Sequence, residues 1–156
     1  MPARKLQAFL DENGIKYVFV KHSPAFTAQE IAASAHIPGK ELAKTVVVKL
    51  DDDLALAVLP ASYRVDFELL KATSGAQSVD LADEGEFRDR FRGCELGTIP
   101  PFSNLHNMDT YVADALAEDE EIAFNAGSHT ELVRMAFADF ERLVRPKVLH
   151  FASRVC

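Results

Sequence analysis

The apolar residues of this chain change their spacing several times, and each change marks an element. Leu6, Phe9 and Leu10 share one side of a helix over residues 3–13, and Gly14 is suited to the left-handed position that ends it. Tyr17-Val18-Phe19-Val20 reads as a short strand. Thr27 followed three residues later by Glu30 is a capping-box pattern that predicts a helix start before Ile31-Ala32-Ala33, and Ile37-Pro38-Gly39 ends that pattern. The densest apolar run opens at Lys44 and continues Thr45-Val46-Val47-Val48-Lys49-Leu50. It predicts a buried strand. Asp51-Asp52-Asp53 then turns the chain into Leu54-Ala55-Leu56-Ala57-Val58-Leu59, and Pro60 stops that second strand, so a hairpin is expected. Both of its faces are apolar, which requires other layers on both sides.

Further along, Phe67-Glu68-Leu69-Leu70-Lys71 has short helical character, and residues 86–91 predict a helix with Phe87 and Phe91 turned inward at helical spacing. Strands are expected at 108–112, 121–124 and 131–135, with a closing helix through 138–143. Helices and strands so interspersed predict an α+β or mixed α/β fold rather than a bundle.

Composition narrows the class. A chain of 156 residues that is 48% apolar can bury one substantial core, and its seven glycines and seven prolines are scattered rather than gathered in a linker. A single domain over 1–156 is expected. Met1-Pro2-Ala3-Arg4-Lys5 does not lead into a signal-peptide apolar segment, and no run reaches the roughly 20 apolar residues of a membrane helix. The expectation is a soluble cytoplasmic protein. Cys94 and Cys156 form neither a disulfide framework nor a CxxC motif, and free thiols are expected. The net charge of -7 is uneven, because residues 80–121 hold twelve acids and three arginines, a net of -9, and leave the rest at +2. That excludes a uniformly basic nucleic-acid binder but permits local recognition of an RNA end.

Three segments can carry chemistry. Lys44, at the head of an apolar strand, can hold a carbonyl or phosphate and stabilise developing negative charge, or it can be a solvent-exposed strand-end lysine. Gly127-Ser128-His129-Thr130 offers close backbone approach, hydroxyls and an imidazole, or a plain turn. Gly97-Thr98-Ile99-Pro100-Pro101-Phe102 is a stiff loop whose Phe102 can face a substrate or the core. His22, His36, His106, His129 and His150 show no metal-ligand spacing, and Asp51-Asp52-Asp53 reads as a hydrophilic turn.

Taken in order, Lys44-Thr45-Val46-Val47-Val48, Gly97-Thr98-Ile99-Pro100-Pro101-Phe102 and Gly127-Ser128-His129-Thr130 resemble the YbaK/EbsC and prolyl-tRNA-synthetase-associated editing-domain family over roughly residues 3–146. The resemblance implies a compact domain with a central mixed, barrel-like sheet surrounded by helices. It also implies hydrolysis of a misattached amino acid from transfer RNA, with alanine on proline-specific tRNA as a family precedent. Lys44, Gly127 and Ser128 match the catalytic positions, and Thr45, Gly97, Pro101, Phe102 and His129 match substrate-binding ones. Water is the implied nucleophile, so no cofactor or metal is expected. The implied partners are the acceptor end of a mischarged tRNA and, transiently, a synthetase. A noncatalytic module that keeps the editing fold and binds aminoacyl-RNA or a protein is the competing reading, and a small-molecule ester or amide hydrolase is a third.

Overall fold

The computed structural model describes residues 2–21, 41–91, 94, 98–102 and 108–154. Helix α1 (Pro2–Glu12) is followed by β1 (Tyr17–Lys21), β2 (Ala43–Leu50), β3 (Asp53–Pro60) and β4 (Tyr63–Val65). Then come α2 (Phe67–Ser74), β5 (Val79–Leu81), α3 (Glu84–Phe87) with a 3-10 turn over Arg88–Phe91, β6 (Asp109–Ala113) and α4 (Asp114–Ala117). The chain closes with β7 (Glu121–Asn125), β8 (Glu131–Ala136), α5 (Phe137–Val144), β9 (Lys147–Leu149) and β10 (Ala152–Arg154). The fold is mixed α/β, as the periodicity predicts. The helix start expected at Thr27 lies outside the described residues.

The Lys44 run does form the central hairpin, with Lys44 opposite Leu59 and Val47 opposite Leu56. Its turn is made by Asp51 and Asp52 at φ of 48° and 73°, the doubly left-handed geometry whose twist matches that of paired strands. Asp51 compensates for its backbone strain through its side chain, which accepts hydrogen bonds from the Gln77 and Ser78 N–H groups, both at 2.9 Å. A five-stranded sheet grows around the hairpin in the order β5-β2-β3-β6-β9, with β3, β6 and β9 parallel to one another. Beside it stand a three-stranded antiparallel sheet, β1-β8-β7, and a ribbon of β10 and β4. Among the described residues no sheet closes on itself, so the barrel-like arrangement expected from the resemblance is not formed. An isolated parallel bridge, Leu42 to Ala123, joins the head of β2 to β7.

Alternation along β2 and β3 explains why both strands are apolar on both faces. Val46, Val48, Leu50, Ala55, Ala57 and Leu59 point to one side, where α2, the β4–β10 ribbon and Phe151 cover them. The opposite side is covered in two parts. Ala43 and Val58 pack on α1, α5 and the inner residues of the three-stranded sheet, while Val47 and Leu56 pack on Phe91, Ile99 and Ala82. Helix α2 is fixed at both ends: Asp66 accepts from the Leu69 N–H at 3.1 Å, and Gly75 closes it at φ 79°. No described helix is long and apolar enough to cross a membrane.

The elements not expected from the sequence are β4, β5, β9, β10 and α4, each three or four residues long. Segments so short show no periodicity to read. The helix expected over 86–91 begins earlier, at Glu84, where Asp83 and Glu86 form a capping box, and tightens into the 3-10 turn before Phe91.

Candidate functional site

Lys44 stands on β2 on the same side as Val46 and Leu59, half-buried. Burial alone pushes its ammonium below the ordinary lysine range, because no carboxylate among the described residues neutralises it. The head of β2 is held by Glu41, just before the strand, whose Oε1 accepts from the guanidinium of Arg134 on β8 at 2.7 Å. Arg134 also reaches Glu121 at 3.5 Å, so the strand carrying Lys44 is tied to β8 and β7 by charge as well as by the Leu42–Ala123 bridge. Glu41 and Arg134 are 93 residues apart, which leaves no local signal for the pairing.

Thr45 takes the opposite side of β2. It lines a cavity of about 340 Å³ with Val47, Leu81, Phe87, Phe91, Cys94 and Ile99, and Glu84 and Arg88 also line it. Lys44 is not among its lining residues. The two adjacent residues therefore address different surfaces. Burial pushes the Cys94 thiol up, which keeps it protonated and unreactive.

Gly127 sits in the loop between β7 and β8 at φ 100°, a conformation that only glycine takes without strain. Its N–H donates to the Thr98 carbonyl at 3.0 Å. This bond joins the second and third sequence motifs, and it commits the Gly127 N–H to structure rather than to a ligand. The loop is closed behind it by Ala126 N–H donating to the Glu131 carbonyl at 2.9 Å. Ser128 donates its hydroxyl proton to Glu131 Oε1 at 2.8 Å, and its Oγ lies 3.4 Å from the Thr130 N–H. Glu131 is therefore a site residue that the motifs did not point out. The Ser-x-x-Glu spacing, which elsewhere reads as a hydroxyl and carboxylate held together, was the available signal. His129 is half-buried in the same loop.

The remaining expected residues separate. Pro101 is buried, and Phe102, expected against the substrate or the core, lies in the core. Fully enclosed, it meets Phe9, Phe124 and Phe140 at centroid distances of 5.9, 5.5 and 5.5 Å. No substrate reaches its ring, so its placement as a binding residue is corrected to that of an anchor for the loop that carries Thr98. Gly97 lies outside the described residues. Among the described residues no group of histidine, cysteine and carboxylate side chains is arranged to hold a metal ion.

The arrangement thus combines a half-buried ammonium that no described carboxylate neutralises, a glycine loop tied to a second loop, and a hydroxyl oriented by a carboxylate. Residues 22–143 match the family model of the aminoacyl-tRNA editing domain. The chain belongs to that family. Within it, this editing domain is 30% identical over 154 residues to the multifunctional Ser/Thr-tRNA deacylase ProXp-y of Escherichia coli K12, covering 95% of this chain and 91% of that protein. It is 31% identical over 75 residues, 48% of this chain, to a proline–tRNA ligase of Thermosipho africanus, of which those residues are 13%. A solved structure described as a candidate trans-editing enzyme for prolyl tRNA synthetase superposes with a TM-score of 0.81 at 23% identity, covering 97% of both chains. That likeness confirms the editing-domain architecture.

Proposed function

We propose that the protein is a trans-editing hydrolase that deacylates mischarged aminoacyl-tRNA, and that its acyl groups are small, alanine, serine and threonine among them. The observation that carries this reading is the convergence at the head of β2. The bridge joins Leu42, two residues before Lys44, to Ala123, four residues before Gly127, and Gly127 is bonded to the Thr98 loop. Family membership and the likeness to a Ser/Thr-tRNA deacylase support the same chemistry.

In this reading Lys44 binds the terminal phosphate or the ester and stabilises the charge that develops on the carbonyl oxygen, an effect strengthened by its partial removal from water. Gly127 lets the loop backbone approach the acyl group. Ser128 donates a hydrogen bond to Glu131 and keeps its proton, so its oxygen offers lone pairs to the substrate rather than acting as a nucleophile. Water attacks the acyl carbon, and the bond to the ribose oxygen breaks. The ribose oxygen leaves with a proton and the free amino acid is released. A neighbouring ribose hydroxyl assists the water, and no protein triad is required. His129 borders the substrate, Thr45 faces the cavity on the opposite side of β2, and any contact with a synthetase is transient.

The test is a panel of tRNAs esterified with alanine, serine, threonine, valine and proline, assayed for release of each amino acid by wild type and by Lys44→Ala. Release of small acyl groups that the variant loses is the expected result. A folded wild type that hydrolyses no member while binding the acceptor end would instead establish the noncatalytic module.

A further inference from the structure

The two edges of β2 are unequally covered. One pairs with β3 along the whole strand, from Ala43 to Leu50, whereas β5 covers the other only from Val48 to Leu50. The Ala82 N–H donates to the Val47 carbonyl at 3.1 Å, which places the Val47 backbone on the β5 edge and, by the two-residue alternation of a ladder, the Thr45 backbone as well. Beyond Val47 no described residue pairs with this edge until the Leu42–Ala123 bridge. The Thr45 N–H and carbonyl are therefore left without a strand partner among the described residues.

The cavity that Thr45 lines opens at this gap. Val46 borders it although its side chain packs on the other face of the sheet, so the cavity reaches the strand edge itself. Its walls are apolar: Val47, Ile99 and Phe91 belong to one buried cluster, and Phe87 stands edge-to-face on Phe91 at 6.1 Å. Leu81, the last residue of β5, borders it with 61% of its surface exposed. About 340 Å³ of apolar space with a free donor and acceptor at one side suits an apolar side chain carried on an extended backbone.

The charge around the cavity narrows the occupant further. Residues 80–90 hold five acids and two arginines, a net of -3; Glu84 lines the cavity, and Asp80 and Asp83 adjoin the lining residues Leu81 and Ala82. Lys49 neutralises Glu86 at 2.8 Å and fastens α3 to β2, but Arg88 meets Glu84 only at 3.7 Å with both side chains more than half exposed, a pair worth little in water. Such a rim repels a nucleic acid and favours a cationic partner.

We propose that this gap is a docking site for a basic protein segment in extended conformation, which pairs with the Thr45 N–H and carbonyl, inserts one apolar side chain into the cavity and sets its flanking lysines or arginines against Asp80, Asp83 and Glu84. The assignment stands independently of the deacylase reading. Lys44 does not line the cavity, so the docked segment leaves the ammonium open.

The probe is the synthetic peptide Lys-Lys-Val-Leu-Val-Lys-Lys, compared with the same peptide carrying serine for leucine and with one carrying glutamate for every lysine. Binding is read by fluorescence anisotropy and by the backbone amide signals of the isotopically labelled protein. The basic leucine peptide is expected to bind and to shift the Thr45 and Leu81 amides. The serine peptide binds about 10- to 100-fold more weakly, as the loss of one buried leucine side chain implies, and the glutamate peptide about tenfold or more weakly at low salt. Cys94→Phe, which fills the cavity, removes the preference for leucine over serine. Leu81→Lys, a surface change, weakens the basic peptide by about tenfold and carries the test if Cys94→Phe does not fold. Lys44→Ala leaves peptide binding within about twofold of wild type, as expected for a separate surface. Equal binding of the leucine and serine peptides, no binding of any of the three, or shifts that leave Thr45 and Leu81 unmoved overturns the assignment. So does a shift of the same amides by an RNA acceptor minihelix, which makes the gap a nucleic-acid surface, or by concentrating the protein alone, which makes it a contact between copies of this chain.

Discussion

Replacing Phe102 by alanine separates a structural role from a binding one. The ring is fully enclosed and meets three others, with Phe140 at an interplanar angle of 87° and Phe9 at 69°, the edge-to-face geometry that adds to simple burial. Truncating a buried phenylalanine costs about 3–5 kcal/mol, and the upper half of that range applies where rigid rings cannot collapse into the space. At about 2–4 °C per kcal/mol for a domain of this size, the melting temperature should fall by roughly 8–20 °C. Calorimetry or thermal circular dichroism on wild type, Phe102→Ala and Phe102→Leu measures the shift. Phe102→Leu retains much of the volume and should fall by less than half as much. Deacylation below the lowered transition should decline mainly in kcat, because the loop that bonds Gly127 is loosened while the substrate surface is untouched. A shift below about 3 °C in Phe102→Ala, accompanied by a rise in KM, would mean that the ring faces the substrate, and would refute its placement in the core.

The other predictions concern charge and positioning. Lys44→Ala should reduce deacylation by about 100-fold or more while leaving the melting temperature unchanged or slightly higher, since a partly buried cation is removed. Burial lowers the Lys44 pKa in the folded state, so enzyme-dependent hydrolysis should decline with rising pH below the ordinary lysine range. Over the same window fold stability should rise, because the unfolded chain still holds the proton. Lys44→Arg should lose that alkaline limb, and a limb at the usual lysine position in wild type would contradict the burial. Glu131→Gln should keep most of the effect of Ser128 by still accepting its hydrogen bond, whereas Glu131→Leu should resemble Ser128→Ala in kcat/KM; additive losses in the double variant would show that the two do not act as a unit. Glu41→Gln and Arg134→Met should be coupled by about 1–3 kcal/mol in a double-mutant cycle of stability, as expected for a close pair largely screened from solvent, and a coupling near zero would remove Glu41 as the anchor of the β2 head.

Much of the scaffold could be read from periodicity because its long elements bury continuous apolar faces. The β2–β3 hairpin, α1, β7, β8 and α5 each carry enough residues for a period to appear. Strands of three residues such as β4, β5 and β10 are defined by their partners, and nothing local specifies them. The site was legible in a different way. Lys44, Gly127 and Ser128 stood out because their residue types suit chemistry and their order matches a family. Their arrangement depends on contacts that no window of sequence contains: the Gly127 bond to Thr98, the Glu41–Arg134 pair and the bridge from Leu42 to Ala123. Phe102 shows the converse. A ring beside two prolines suits a pocket wall or a core equally well, and only the three aromatic partners brought to it from α1, β7 and α5 decide between them.

The charge distribution makes a final point about how such a protein can act on RNA. With a net charge of -7, long-range attraction to a polyanion is weak, and the acids between residues 80 and 121 turn part of the surface against it. Lys44 escapes this balance because no described carboxylate neutralises it and because its partial burial raises the strength of each short-range interaction it makes. Such a cation contributes little until the RNA end is in contact, and then contributes locally. Binding should therefore depend weakly on salt, with a log–log slope corresponding to about one or two phosphates, in contrast to the steep dependence of a basic groove. Recognition would then reside in the terminal nucleotide and its acyl group. A slope equivalent to six or more phosphates would require a basic track elsewhere on the surface and would remove Lys44 from the centre of the account.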